Sequence, residues 1–257
     1  PSLKAEESTN ITVGIGLRPN YNFSFTLDYY NIAVKDRVIL STEIGATDAG
    51  DTALDAILSA NNLSDLSFFV NALDTRTSGI DFVANYKGLE LGKGSLGLNL
   101  AGNYTLQNER DGAVKNPTLV EQAGQTVSNA TQEALFFTSR PEFKIIFGID
   151  YSMDKLSVGL YNTVFGPTEF RQQGLDAGIY TTFDTKIVTD LSVNYQFSET
   201  IGLGVNVNNL LNVLPEWSFQ ADPGSEAKLN DAAFLKNQSN LITFNQRYSQ
   251  MTYDGYH

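Results

Sequence analysis

Few residues in this 257-residue chain have the type and spacing to do chemistry. The densest carboxylates are Glu6-Glu7 and the trio Asp48, Asp51 and Asp55. The trio offers oxygen ligands of the kind calcium takes, but its spacing is not that of an EF-hand loop, and a solvated acidic loop is the plainer reading. Gly14-Ile15-Gly16 begins like a dinucleotide-binding turn, yet Pro19 stands where the third glycine is required. Cysteine is absent and the one histidine is His257. That excludes disulfides, thiolate metal sites, cysteine nucleophiles, a histidine triad and multi-histidine metal centres within this sequence. No acid–base pair stands at a recognisable spacing, so neither an enzyme nor a resident cofactor or metal is expected. A net charge of −12 disfavours nucleic acid as a partner, since no basic surface is available to displace counterions.

The elements that position these residues come from the hydropathy pattern. No stretch approaches the ~18 apolar residues of a membrane-spanning helix. The best run, Phe143 to Ile149, is broken by Lys144. Alternation with period two is pervasive instead. Val13/Ile15/Leu17 oppose Gly14/Gly16, and Phe23/Phe25/Leu27/Tyr29 oppose Ser24/Thr26/Asp28. Ile80/Phe82/Ala84/Tyr86 oppose Asp81/Asn85, and Leu96/Leu98/Leu100 with Tyr104/Leu106 oppose Asn99/Asn103. Phe143/Ile145/Phe147/Ile149 oppose Lys144/Asp150, and Leu156/Val158/Leu160/Val164 oppose Gly159/Tyr161. Leu191/Val193/Tyr195 oppose Asp190/Asn194, and Leu203/Val205/Val207 oppose Gly204/Asn206. Eight strands result, each apolar on one face.

A soluble sandwich also alternates, with its apolar face turned to a core. Three features favour a membrane wall. The strands are about ten residues long or more, against ~5–6 in typical sheets. The apolar faces carry no charge. Connections alternate between short and long, as in a transmembrane barrel with brief periplasmic turns and large extracellular loops. The long ones cover roughly 41–75, 111–139 and 166–182, and a last one begins near 218. Phe25, Phe82, Leu98, Phe147, Leu160 and Val193 are therefore expected to face lipid. Asp28, Asp81, Asn99, Asp150, Asn194 and Asn206 are expected to face the lumen. In the second strand the apolar set switches from odd to even numbers at Ile32 and Val34, which predicts a β-bulge near Tyr30-Asn31. Within the first long loop, residues 51–59 place Leu54, Ile57 and Leu58 at helical spacing after an acidic start.

Several segments, taken in order, resemble TonB-dependent outer-membrane receptors. Leu3-Lys4-Ala5-Glu6 with Ser8 and Asn10 matches a segment that leads into a strand of the C-terminal third of the barrel, with Ala5 in place of the usual proline. Arg76-Thr77-Ser78-Gly79-Ile80-Asp81 is similar to a strand start. Arg140-Pro141 resembles another, with Phe143 where histidine is usual. Asp190 to Tyr195 and Val207 to Asn212 match a later strand and a rim segment, and Arg247-Tyr248 resembles the start of the final strand. The resemblance implies that residues 1–257 are a partial all-β barrel, about eight strands of the ~22 that surround a plugged lumen in large transporters. The plug domain and the closing strand then lie outside this sequence, and the first and eighth strands do not pair with each other.

The same resemblance implies import of a scarce large solute across an outer membrane, driven by TonB through the plug, with an iron–siderophore chelate as the commonest cargo. Oligosaccharide or peptide import is the alternative within the family; a non-transporting barrel or adhesion protein is the alternative outside it. Lipid of the outer membrane and a small-molecule or chelate ligand are the partners expected. Ligand contact is expected at the extracellular rim, from Phe170, Arg171, Tyr180, Trp217 and Phe219. Trp217 is also placed to mark the outer interface, and Glu169 and Arg171 to pair with each other. The acidic loops argue mildly against an anionic ligand, with Arg171 and Lys144 as local exceptions.

Overall fold

A computed structural model of the chain describes residues 3–50, 52–171 and 178–230. Arg247-Tyr248, read as the start of a final strand, lies outside the described residues. The strands are β1 (Glu7–Leu17), β2 (Phe23–Leu40), β3 (Ile44–Gly45), β4 (Asp65–Leu66), β5 (Phe69–Leu91), β6 (Gly94–Arg110), β7 (Phe143–Met153), β8 (Leu156–Phe165), β9 (Thr168–Phe170), β10 (Ile179–Phe183), β11 (Lys186–Gln196), β12 (Gly202–Val207) and β13 (Trp217–Ala221). Helices α1 (Ala53–Ala60), α2 (Thr118–Gln122) and α3 (Ala130–Phe137) sit in the long connections. One sheet of eight strands dominates, in the order β1-β2-β5-β6-β7-β8-β11-β12. Every neighbour in it is antiparallel. β1 and β12 form its two edges and are not paired with each other, as expected of an open segment of a larger barrel.

Cross-strand partners share a face, so the register sorts the side chains. One row runs Phe25, Ala84, Leu100, Phe147, and the next runs Phe23, Tyr86, Leu98, Ile149, Leu160, Leu191, Val207. The opposite face carries Asp28 across from Asp81, and Asp81 across from Asn103. Like charges directly opposite one another repel; that face must be wet or covered by polar groups. The apolar face stays open, with Val13 67% and Leu203 57% exposed. Among the described residues no second sheet covers it, so the sandwich reading fails. This is a membrane wall, apolar outward and polar inward.

The turns at one end are short because the strands extend further than their alternation reveals. The modest connection read at Lys87–Gly94 shrinks to Gly92-Lys93, since β5 continues to Leu91 past a register shift at Lys87-Gly88. Gly92 has φ +63, a left-handed conformation that glycine takes without strain. Close approach explains Gly79 on the polar face: a Cβ there would lie 2.6 Å from Cζ of Tyr30, whose ring crosses from β2 and whose hydroxyl accepts from Asn103 Nδ2 at 3.1 Å.

Two sequence expectations need correction. No bulge occurs near Tyr30-Asn31. Pairing runs unbroken through Ile32↔Thr77 and Val34↔Thr75. Ile32 and Val34 thus remain on the polar face. The irregularity comes between Val34 and Arg37, where Asp36 adopts φ +52. The switch from odd to even marks the point where β2 leaves the lipid band, above which either face can be apolar. Polar groups then hold the break. Lys115 Nζ bridges Asp36 and Asp74 at 2.7 and 2.6 Å, and Asn71 Nδ2 donates to the Asp36 carbonyl. The segment before β1 is tied to the same place, with Lys4 and Asn71 exchanging two bonds and Val38 N–H donating to Glu6. Leu106, read with the apolar set, sits in a second irregularity: Gly79 pairs Thr105 while Ser78 pairs Gln107. It lines a cavity that also holds Asn103 and Lys144 from the polar face.

The main buried cluster lies where the ends of β2 and β5 meet the long connections. Ile39, Ile44, Leu54, Leu58, Leu73 and Val127 form its centre. The helix expected at 51–59 is α1, and it buries Leu54 and Leu58 in this core while Ile57 stays 43% exposed. Its apolar stripe therefore packs the loop. The Asp55 carboxylate is engaged within the loop. It accepts from the hydroxyls and the backbone N–H groups of both Thr47 and Thr52, closing a capping box. Asp51 lies outside the described residues, and among those described no three potential metal ligands cluster.

Those four bonds hold the Asp55 carboxyl far below the ordinary carboxylate range. A depressed folded pKa gives stability that is present above the unfolded value of ~3.9 and is lost as pH falls through the folded one. Hydrogen exchange across 53–58 should therefore stay protected from neutral pH to about 4 and loosen only in stronger acid. Asp55→Asn should exchange faster already at neutral pH and lose most of that acid dependence. Equal protection in both proteins would rule the cap out as the loop's anchor.

Candidate functional site

The five residues expected to touch ligand do come together. They occupy a three-stranded sheet, β13-β10-β9, which stands apart from the wall. The sheet divides them between its faces. Phe170, Thr181 and Phe219 form one row, and Phe183 pairs with Trp217 on the same side. Phe170 and Phe183 are buried against Ala134 of α3, with Trp217 packed on them. Trp217 meets Phe219 edge-on at 5.6 Å. Trp217 thus packs on this sheet.

Arg171 and Tyr180 belong to the other face. The Arg171 guanidinium binds Asp222 through two parallel bonds of 2.9 Å, binds Glu169 at 3.1 Å and lies 4.6 Å from the Tyr180 ring centre. The fork fits a carboxylate bidentately. Asp222 raises the Arg171 pKa further, and its own carboxyl is lowered by the same bonds. This arginine joins the strand ends of β9 and β13.

A cavity of about 630 Å³ opens on the polar face of the wall beneath α3. Three cations line it: Arg37, Arg140 and Lys144, against the single carboxylate of Glu142. Thr77, Thr105 and Asn103 add hydrogen-bonding groups from β5 and β6, while Phe136 and Phe137 add rings from α3. The parts are held in place. Arg37 stacks 5.2 Å from the Phe136 ring centre, and Lys144 Nζ lies 5.2 Å from that of Phe165. Asn108 Nδ2 donates to the carbonyls of Phe136 and Phe137, fixing the end of α3. Arg140 is exposed and forms no ion pair among the described residues. Thr138 Oγ1 donates to the Glu169 carbonyl at 2.8 Å, linking the cavity wall to the small sheet.

Such a cavity can hold a large anion with apolar or aromatic surface. The cations supply charge-assisted bonds and the two rings supply contact area. Lys144 is visible in the sequence as the one cation in a strand's polar alternation. Arg140 shows only as part of a strand start. Arg37 and Phe136 carry no sequence signal, because what joins them is a contact between β2 and α3, which lie far apart in the chain.

Trp217 is the sole tryptophan, so its fluorescence reports on the small sheet. Arg171→Ala should shift its emission to the red and increase quenching by acrylamide. Arg171→Lys should recover only part of the change, since an ammonium cannot form the bidentate pair. Unaltered emission in both would show that the Arg171–Asp222 link does not hold β13 in place.

A family model described as TonB dependent receptor-like, beta-barrel matches residues 1–210. No curated protein matches the sequence. Among solved structures, the FrpB iron transporter from Neisseria meningitidis is similar, with a TM-score of 0.56 at 15% identity over 83% of this chain and 28% of that one. The ferric yersiniabactin uptake receptor FyuA from Yersinia pestis matches at 0.51 and 17% over 82% of this chain and 26% of that one. The siderophore receptor PirA from Acinetobacter baumannii matches at 0.50 and 18% over 81% and 28%. The chain thus spans little more than a quarter of the length of these receptors, and at such identities the likeness concerns the fold. The family match extends over the first 210 residues and takes in every strand of the wall; this chain belongs to the TonB-dependent receptor β-barrel family.

Proposed function

We propose that this chain forms part of the wall and extracellular loops of an outer-membrane importer that takes up an iron–siderophore chelate. Energy comes from TonB through a plug outside this sequence. The observation that carries the reading is the cavity holding Arg37, Arg140 and Lys144. In a chain of net charge −12, three cations are gathered on the polar face, below loops and beside aromatic rings. Ferric chelates of this class are large and commonly anionic, and they expose both oxygen ligands and apolar surface. Iron and siderophore names among the similar structures support the choice without deciding it.

Oligosaccharide import keeps one observation in its favour. A second cavity, of about 490 Å³, is lined by Ser41, Thr42, Ser67, Gln125, Asn129 and Thr131, with Glu43 its single charge. Neutral hydroxyl and amide groups suit a sugar. Several are already used, however: Gln125 bonds Gly45 through both side-chain atoms, and Thr42 Oγ1 donates to the Thr126 carbonyl.

The test is binding and uptake of a ferric chelate by the full receptor. Arg140→Gln with Lys144→Gln should weaken binding by about ten- to a hundredfold, the loss of one charge-assisted bond or slightly more. Uptake should fall in parallel while the barrel still inserts. A double variant that binds ferric chelates as tightly as the parent, or one that selectively loses a neutral oligosaccharide, would overturn the proposal.

A further inference from the structure

One polar pair interrupts the apolar face of the wall. Phe147 on β7 is paired with Asn162 on β8, and Asn162 with Thr189 on β11. Asn162 thus points to the lipid side, in line with Leu160 and Val164 on its own strand. Ile145, Ile149, Ile187 and Leu191 surround the pair diagonally. Thr189 is buried, its hydroxyl donates to Asn162 Oδ1 at 2.8 Å, and its carbonyl accepts from Leu210 N–H. Both Thr189 groups are therefore satisfied. Asn162 Nδ2 is the outward half, and no acceptor reaches it among the described residues. Turned over, the amide would donate to Thr189 Oγ1 and present its oxygen outward; in the orientation that accepts the Thr189 hydroxyl, the pair presents the two Nδ2 protons to its surroundings.

In hydrocarbon, an unpaired donor costs several kcal/mol. An amide at this position calls for an acceptor from beyond the described residues. Depth selects which one. The apolar stripe of β8 ends at Val164 and that of β11 at Ile187, each two residues above the pair. Two residues span about 7 Å along a strand, which sets the pair just inside the outer edge of the apolar band. Acyl carbonyls of outer-leaflet lipid lie at that boundary. They accept and do not donate, which complements a pair with surplus donors.

We propose that Asn162 and Thr189 form a lipid site, in which Asn162 Nδ2 donates to an acyl carbonyl of a lipid seated on β7, β8 and β11. The contact is to the ester or amide linkage and not to a phosphate or sugar headgroup. A second copy of the chain, pairing amide to amide, is the competing occupant.

The experiment uses the full receptor in nanodiscs containing equal parts of diacyl phosphatidylethanolamine and its ether-linked dialkyl analogue, which differ in the carbonyl alone. Native mass spectrometry then counts the lipid retained. The parent receptor should hold the ester lipid about tenfold better than the ether lipid, equivalent to 1.4 kcal/mol. Asn162→Leu should abolish that preference while keeping heat-modifiable mobility on gels, the sign of a folded barrel. Independently of any variant, infrared spectra of ester lipid labelled with ¹³C at the carbonyl should show a hydrogen-bonded population that saturates at one lipid per barrel. Equal retention of both lipids by the parent, an ester preference that survives Asn162→Leu, or a dimer lost in that variant would each refute the site.

Discussion

A bilayer interior offers backbone N–H and C=O groups no water, so each must be paired within the protein. The rest of this structure depends on that constraint. It demands long antiparallel ladders, and the chain supplies them in eight strands with short turns at one end. It also leaves β1 and β12 as edges that further polypeptide has to cover, in keeping with a chain that spans little more than a quarter of similar receptors. Once the ladder is set, alternation places every second side chain against lipid. The apolar groups that would build a core in a soluble domain are spent on the outer face.

Buried apolar clusters consequently gather at the end of the sheet that carries the long connections. Two small apolar clusters hold them, one around Leu54, Leu58 and Leu73, the other around Phe170 and Phe183. Such clusters bury little surface, so polar anchors carry much of the specificity. Asp55 caps α1. Lys115 joins the bulge of β2 to β5, and its ammonium pKa is raised by Asp36 and Asp74. Arg171 clamps β9 to β13. Charge is divided in the same manner, with acids spread over the loops and lower wall and three cations gathered in one cavity.

The wall was almost wholly legible in the sequence, because alternation is local and lipid enforces it strictly. Phe25 and Leu98 fall on one face, Asp28 and Asn99 on the other, as their spacing requires. Helix α1 was legible for a similar reason, since its cap and its stripe lie within nine residues. The errors came where the enforcing solvent changes. At Ile32 and Val34 the pattern inverts above the lipid band, and a change of surroundings resembled a slip of register. The cavity was legible only in part. Lys144 stands out in a strand, but Arg37 of β2 and Phe136 of α3 are far apart in the chain, and no spacing rule connects them. The small sheet escaped for the same reason: β13 pairs with β10 across an intervening hairpin of the wall.

Because the chain has no cysteine, single cysteines introduced along β6 from Leu96 to Tyr104 would each carry a unique label. In the full receptor in proteoliposomes, fluorophores at these positions can be quenched by a lipid-soluble or a water-soluble agent. Quenching by the lipid-soluble agent should peak at Leu96, Leu98, Leu100 and Tyr104, and drop at Gly97, Asn99, Ala101 and Asn103. A profile with no period of two, or aqueous quenching that is equal on both faces, would contradict the assignment of this sheet as a membrane wall.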